Sequence, residues 1–122
     1  MAKASHHKTV QKLIESRGFF TTIRTHSDDD SDLVCASKRF EGGLTGNSFW
    51  LWFSEKAGDW YVATWTPRYY LIPATTDVVA LCVSCLSNDS SFPWSLPEKI
   101  VLDFRLEEVS QSEIDEQRKR QG

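Results

Sequence analysis

The sequence predicts an α+β domain in which an N-terminal helix precedes a roughly five-stranded antiparallel meander sheet, and two or three C-terminal helices pack mainly on one face of that sheet. Three observations lead there. Phe49-Trp50-Leu51-Trp52-Phe53 and Trp60-Tyr61-Val62-Ala63-Thr64-Trp65 are aromatic and β-branched runs joined by Lys56-Ala57-Gly58-Asp59, a hairpin signal. Val10, Leu13 and Ile14 fall at the i, i+3, i+4 spacing of a helical stripe between Ser5, a cap residue, and Gly18, a stop signal. Thr75-Thr76-Asp77 and the capping box Ser110-Gln111-Ser112-Glu113 open two further helical stretches toward the C-terminus.

The helix is expected over Ser5 to Arg17, with Lys8, Lys12 and Glu15 in solvent and His6 and His7 at its solvated start. Phe19 to His26 and Leu33 to Phe40 form a first hairpin around Ser27-Asp28-Asp29-Asp30-Ser31-Asp32, and close pairing puts Phe19, Thr21, Ile23 and Thr25 on one face with Val34, Ala36, Lys38 and Phe40. Asp28, Asp30 and Asp32 have the 1-3-5 spacing of a calcium loop. Leu33 and Arg39, however, stand where that loop needs a Gly and a bidentate Glu, so the segment reads as an acidic solvated turn. Glu41 to Asn47, with Gly42, Gly43 and Gly46, reads as a long connecting loop that could lie as a flap over a pocket. It lacks the Lys-Ser or Lys-Thr of a phosphate loop.

Pairing about the Gly58-Asp59 turn sets Phe53 opposite Val62 and Leu51 opposite Thr64 on one face, with Trp52 opposite Ala63 and Trp50 opposite Trp65 on the other. Both faces of this hairpin are apolar, whereas a sheet wetted on one side alternates with polar residues. Tyr69 to Ile72 supplies a fifth strand after the Thr66-Pro67-Arg68 turn, and Val78 to Ser87 a helix with Val78, Val79, Cys82, Cys85 and Leu86 on one stripe. Phe92 to Pro97 must lie against the body. Residues 98–106 fit a short helix after Pro97 better than the alternating strand that Ile100, Leu102, Phe104 and Leu106 also allow. The 122 residues read as one domain, with frayed ends at about 1–5 and 115–122 and Arg118-Lys119-Arg120 in a polar tail.

A net charge of −3 and a pI near 5.6 argue against nucleic-acid binding, which needs a basic surface. No apolar segment follows the first eight residues, so no secretory signal is expected, and the longest apolar run, Val78 to Val83, is far short of the ~20 residues that span a bilayer. Three cysteines, an odd number, fit a reducing cytoplasm. Cys82-Val83-Ser84-Cys85 lies inside its helix rather than at the N-terminus, where a dipole would activate a thiol, and reads as a pair of core thiols. A zinc site would require Cys35 and His26 to join Cys82 and Cys85. No cofactor is expected, and no nucleophile motif or buried carboxylate pair marks an active site; Glu107 and Glu108 lie on a polar segment.

The expected function is therefore that of a non-catalytic protein-binding module, adaptor-, chaperone- or immunity-like, acting through an aromatic sheet face that carries Trp50, Trp52, Trp65, Tyr61, Arg68 and Tyr69. Arg68 is placed to stack on Trp65 or to act as a plain turn residue. The partner is another protein or a second copy of the chain, with no role for nucleic acid or membrane. The alternatives are a small-ligand binder with a pocket between sheet and helices under Gly42, Gly43 and Gly46, and a homodimer whose second copy covers the aromatic face.

Overall fold

The computed structural model describes residues 4–27, 30–54, 57–88 and 96–121. The chain runs α1 (Ala4–Glu15), β1 (Phe20–Ser27), β2 (Asp30–Phe40), β3 (Gly43–Ser54), β4 (Asp59–Ala63), β5 (Tyr69–Leu71), α2 (Val78–Leu86), α3 (Glu98–Asp103), β6 (Glu107–Val109) and α4 (Gln111–Gln121). The strands form one antiparallel sheet in the order β1-β2-β3-β4-β5-β6, so each pairs only with its neighbours in sequence. This is the expected α+β meander, with a sixth strand added. β6 pairs Tyr69 with Val109 and Leu71 with Glu107. Only Val109 in it favours a strand by composition, and the partner edge of β5 supplies the rest.

The two faces are packed differently. On the first face, Leu33, Cys35, Phe49, Leu51, Val62, Tyr70 and Ile72 meet Val10 and Ile14 of α1, Leu81, Cys82, Cys85 and Leu86 of α2, and Ile100 of α3. Asp77 caps α2 by accepting from the N–H groups of Val79 and Ala80 at 2.9 and 3.1 Å. Asn47 closes the other end of that helix, donating from Nδ2 to the carbonyls of Cys85 and Asn88 at 3.1 and 2.8 Å. A strand side chain thus adds a donor to the last turn of the helix and to the residue that follows it. On the second face, Val34, Trp50, Trp52, Tyr61, Ala63 and Tyr69 meet Ile114 of α4.

Several local expectations are corrected. The second hairpin pairs Leu51 with Val62 and Trp52 with Tyr61, two positions away from the expected register, because the last pair before the turn is Ser54 with Asp59 and the hairpin is centred one residue earlier than expected. A shift of two preserves the faces. The first hairpin pairs Thr21 with Cys35 and Thr22 with Val34, so Thr21 and Ile23 share a face with Leu33 and Cys35 and not with Val34 and Ala36. That odd shift exchanges the faces.

The segment read as a glycine loop is mostly strand. Glu41 and Gly42 alone turn the chain, Phe40 pairs with Gly43, and a register shift between Ala36 and Lys38 lies opposite Gly46. Gly46 has φ +83°, and a Cβ there would strike Oγ of Ser37, so this position requires glycine. In α1, His7 is buried, with its ring edge-on to Trp60 at 5.2 Å, and His6 stacks on Phe53 at 4.2 Å. His7 is therefore not the solvated residue expected, whereas His6 stays exposed while stacked on that ring. Leu13 instead faces outward. Asp28, Asp29 and most of the Phe92 to Pro97 segment lie outside the described residues.

Candidate functional site

The second sheet face holds the aromatic side chains singled out from sequence, and α4 covers much of it. Ser110 caps α4 by accepting from the Glu113 N–H at 3.1 Å, and Gln111, Ile114, Gln117 and Arg118 then turn toward the sheet. Gln111 donates to the Tyr69 hydroxyl at 3.3 Å, and Gln117 donates to that of Tyr61 at 3.0 Å while accepting from Ser54 at 2.7 Å. Gln117 and Arg118, read from sequence as part of a frayed polar end, are held against the sheet. Trp52 is 1% exposed and Trp50 6%, and Tyr61 and Tyr69 are buried beside them. Burial pushes the Tyr61 hydroxyl above its usual pKa, an effect partly offset by the bond from Gln117.

Arginines and indoles alternate along this face. Arg118 lies 4.7 Å from the centroid of Trp52 and 5.6 Å from that of Trp50, and Arg24 lies 5.9 Å from Trp50 and 5.5 Å from Trp65. Each guanidinium therefore sits within range of two ring quadrupoles. Asp32, 1% exposed, accepts from both, at 2.6 Å from Arg118 and 3.3 Å from Arg24. It belongs to the buried framework and not to the solvated acidic turn expected for it. The pairing of Arg24 with Asp32 across β1 and β2 fixes this meeting point.

Beyond Trp65 the face is open. A cavity of ≈ 440 Å³ is lined by Thr22, Arg24, Val34, Leu44, Ser48 and Trp65, with Gly43 at its rim. It lies on the sheet surface beside α4 and not between the sheet and the helices of the first face. Only Gly43 of the three glycines lines it. Trp65 stands outside the strands, in the 64–68 connection, which the Thr64 N–H closes by donating to the Arg68 carbonyl at 3.0 Å and which three side-chain contacts also hold. Thr64 Oγ1 accepts from the Arg68 N–H at 3.2 Å and meets Thr66 Oγ1 at 3.0 Å, and Trp65 Nε1 donates to Ser48 Oγ at 3.0 Å. The Thr66–Pro67 bond is cis. Arg68 is exposed, and among the described residues the cations over the tryptophans are Arg24 and Arg118 rather than Arg68.

No protein-family model matches this chain, nor does any curated protein or solved structure.

The four residues of the conceivable zinc set are not brought together. Cys35, Cys82 and Cys85 are free, fully buried thiols where α2 packs on the sheet, and Cys35 Sγ donates to the Leu33 carbonyl at 3.9 Å. His26 lies five residues along β1 from Thr21, the partner of Cys35, a separation of roughly 16 Å at strand rise. Among the described residues no group of three or more His, Cys, Asp or Glu could hold a metal.

Desolvation pushes both helical thiols well up, reinforced at Cys82 by Cys35 and at Cys85 by Cys82. Since a raised folded-state pKa means that the unfolded chain loses its thiol protons first, these groups favour the fold below the ordinary thiol pKa. Their contribution is then lost as pH rises above it. Stability should hold from pH 7 to 8 and fall by about 3–4 kcal/mol by pH 10 as the two thiols ionise in the unfolded state. Denaturant titration across that range tests this, and a Cys82→Ala/Cys85→Ala variant with an equally steep alkaline limb would contradict the assignment.

Sequence reasoning missed Arg24, Asp32, Ser48, Leu44 and Arg118. The available signal was charge complementarity, since Arg24 and Asp32 face each other once the first hairpin is given its true register.

Proposed function

We propose that this protein is a non-catalytic binding module that takes a small ligand into the cavity between Trp65, Leu44 and Arg24. One observation carries the reading: the chain covers Trp50 and Trp52 with its own α4, yet leaves a ≈ 440 Å³ hollow open at the end of the same aromatic face. That volume lies within the common range for small-molecule sites, and the lining is apolar with a few convergent polar groups, as such sites are. Trp65, half-buried and oriented by its bond to Ser48, forms one wall. A protein interface across the whole aromatic face has less support, because burying Trp50 and Trp52 internally removes the anchors it would use.

The absence of catalysis in this proposal rests on the cavity lining, which among the described residues offers a guanidinium and two hydroxyls but neither a general base nor a nucleophile paired with one. The net charge of −3 supports a partner other than nucleic acid. Three free buried thiols support residence in a reducing compartment such as the cytoplasm. No helix among the described residues is long and apolar enough to cross a membrane.

A second reading keeps the protein-binding expectation at the same place: the occupant is a side chain of a protein partner or of a second copy. Phe40, 56% exposed at the tip of the β2–β3 hairpin close to the cavity rim, favours it. Two experiments separate the readings. Fragment screening by NMR should shift the Trp65 indole N–H and the backbone amides of Leu44 and Ser48, and Trp65→Ala should abolish the shifts at Leu44 and Ser48 while costing under ~1.5 kcal/mol of stability, as a partly exposed side chain would. Sedimentation that shows a concentration-dependent dimer sensitive to Phe40→Ser, with no fragment binding, would favour the second reading.

A further inference from the structure

We infer that the ligand is a small organic anion, a flat apolar body bearing a carboxylate or an equivalent group, with Arg24 as its anchor. The inference rests on the cavity's being the ligand site. Its polar lining points to an acceptor. Ser48 Oγ already accepts from Trp65 Nε1 at 3.0 Å, which leaves the Ser48 O–H as a donor toward the cavity. Thr22 offers a second hydroxyl, and Arg24 a guanidinium whose side chain is 44% exposed. Among the described residues the lining includes no carboxylate.

Arg24 is also the less engaged of the two cations on Asp32. Its contact with that carboxylate is 3.3 Å and uses one terminal nitrogen, whereas Arg118 approaches to 2.6 Å. The remaining guanidinium donors of Arg24 are available for the two-point contact that a carboxylate accepts. Its plane is already located between the rings of Trp50 and Trp65, at 5.9 and 5.5 Å, so little side-chain freedom remains to be lost on binding. Val34, Leu44 and the face of Trp65 provide the apolar walls for the body of the ligand. The partly desolvated setting strengthens a charge-assisted bond relative to one in water.

The test compares probes matched in shape. Indole-3-carboxylate and its carboxamide are titrated while following the Trp65 indole N–H and the Arg24 Nε–H by NMR. The carboxylate should bind roughly tenfold or more tightly than the carboxamide, as expected for a charge-assisted bond, and the gap should narrow with added salt. Arg24→Gln should bring the two affinities together, and Arg24→Lys should retain part of the gap, which keeps the test decisive should the Gln variant fold poorly. Equal binding of both probes to the wild-type protein, or an undiminished gap in Arg24→Gln, overturns the anion assignment while leaving the cavity as the ligand site. If neither probe moves the Trp65 resonance while other residues shift, the cavity reading itself falls, and the inference with it.

Discussion

Trp52→Ala is expected to cost ~3–5 kcal/mol of stability, enough to unfold a marginal domain. The ring is 1% exposed, lies against Tyr61 at 5.5 Å and is capped by Arg118 at 4.7 Å, so its removal leaves a cavity whose walls belong to a sheet and a helix that cannot both collapse. Fully burying a side chain of this size removes about 150–250 Å² from water, worth roughly 4–6 kcal/mol at ~25 cal/mol per Å². Trp65→Ala on the same face should be mild by comparison. The contrast between them, read from denaturant midpoints at unchanged m-value, checks the division of this face into core and site. Comparable losses at both positions would mean that Trp65 is core and that the cavity is a packing defect.

Asp32→Ala should be nearly as damaging, at ~3–5 kcal/mol, because it leaves two guanidiniums in a partly buried setting without their shared carboxylate. Arg118 is only 17% exposed, so water cannot readily replace the lost acceptor. Removing the Arg118 charge as well should recover part of the loss: Asp32→Ala/Arg118→Met is predicted to be more stable than Asp32→Ala alone, since an apolar replacement of a buried ion pair is often close to neutral. A strictly additive double mutant would show that the two side chains are not coupled.

The aromatic hairpin was legible in the sequence because its signals are local: β-prone residues on either side of a glycine-bearing turn assign two strands and their faces. Turn position was less legible, and its error was harmless at Trp50 and Trp52, where the register moved by two, but consequential at Thr22 and Arg24. There the six-residue polar segment from Ser27 to Asp32 contains no glycine to locate the turn. An odd shift put Val34 and Arg24 on the wrong faces and concealed the pair Arg24–Asp32. The docking of α4 was hidden for a different reason. Its stripe has a single apolar residue, Ile114, and attaches through Gln111, Gln117 and Arg118, which periodicity counts as solvent-facing. β6 escaped notice because three residues of Glu-Glu-Val are strand only by virtue of the edge they meet.

The clasp between Asp32 and Arg118 joins residues 86 apart, whereas β1 to β5 follow one another through short connections. Closing the longer loop carries the greater entropic cost, so the hairpins are expected to assemble first and α4 to dock on a sheet already formed. Time thus enters what is otherwise a static arrangement. On that order of events the rings of Trp50 and Trp52 would face water until α4 docks, giving the chain an adhesive surface for that interval. Interactions made after the rate-limiting step act on escape from the native state rather than on the approach to it. Stopped-flow measurements on Asp32→Ala should accordingly show unfolding accelerated by roughly two to four orders of magnitude, with refolding slowed only by the small share that the exposed Arg24 contact within the first hairpin carries. A refolding limb slowed in proportion would place the clasp in the folding nucleus instead.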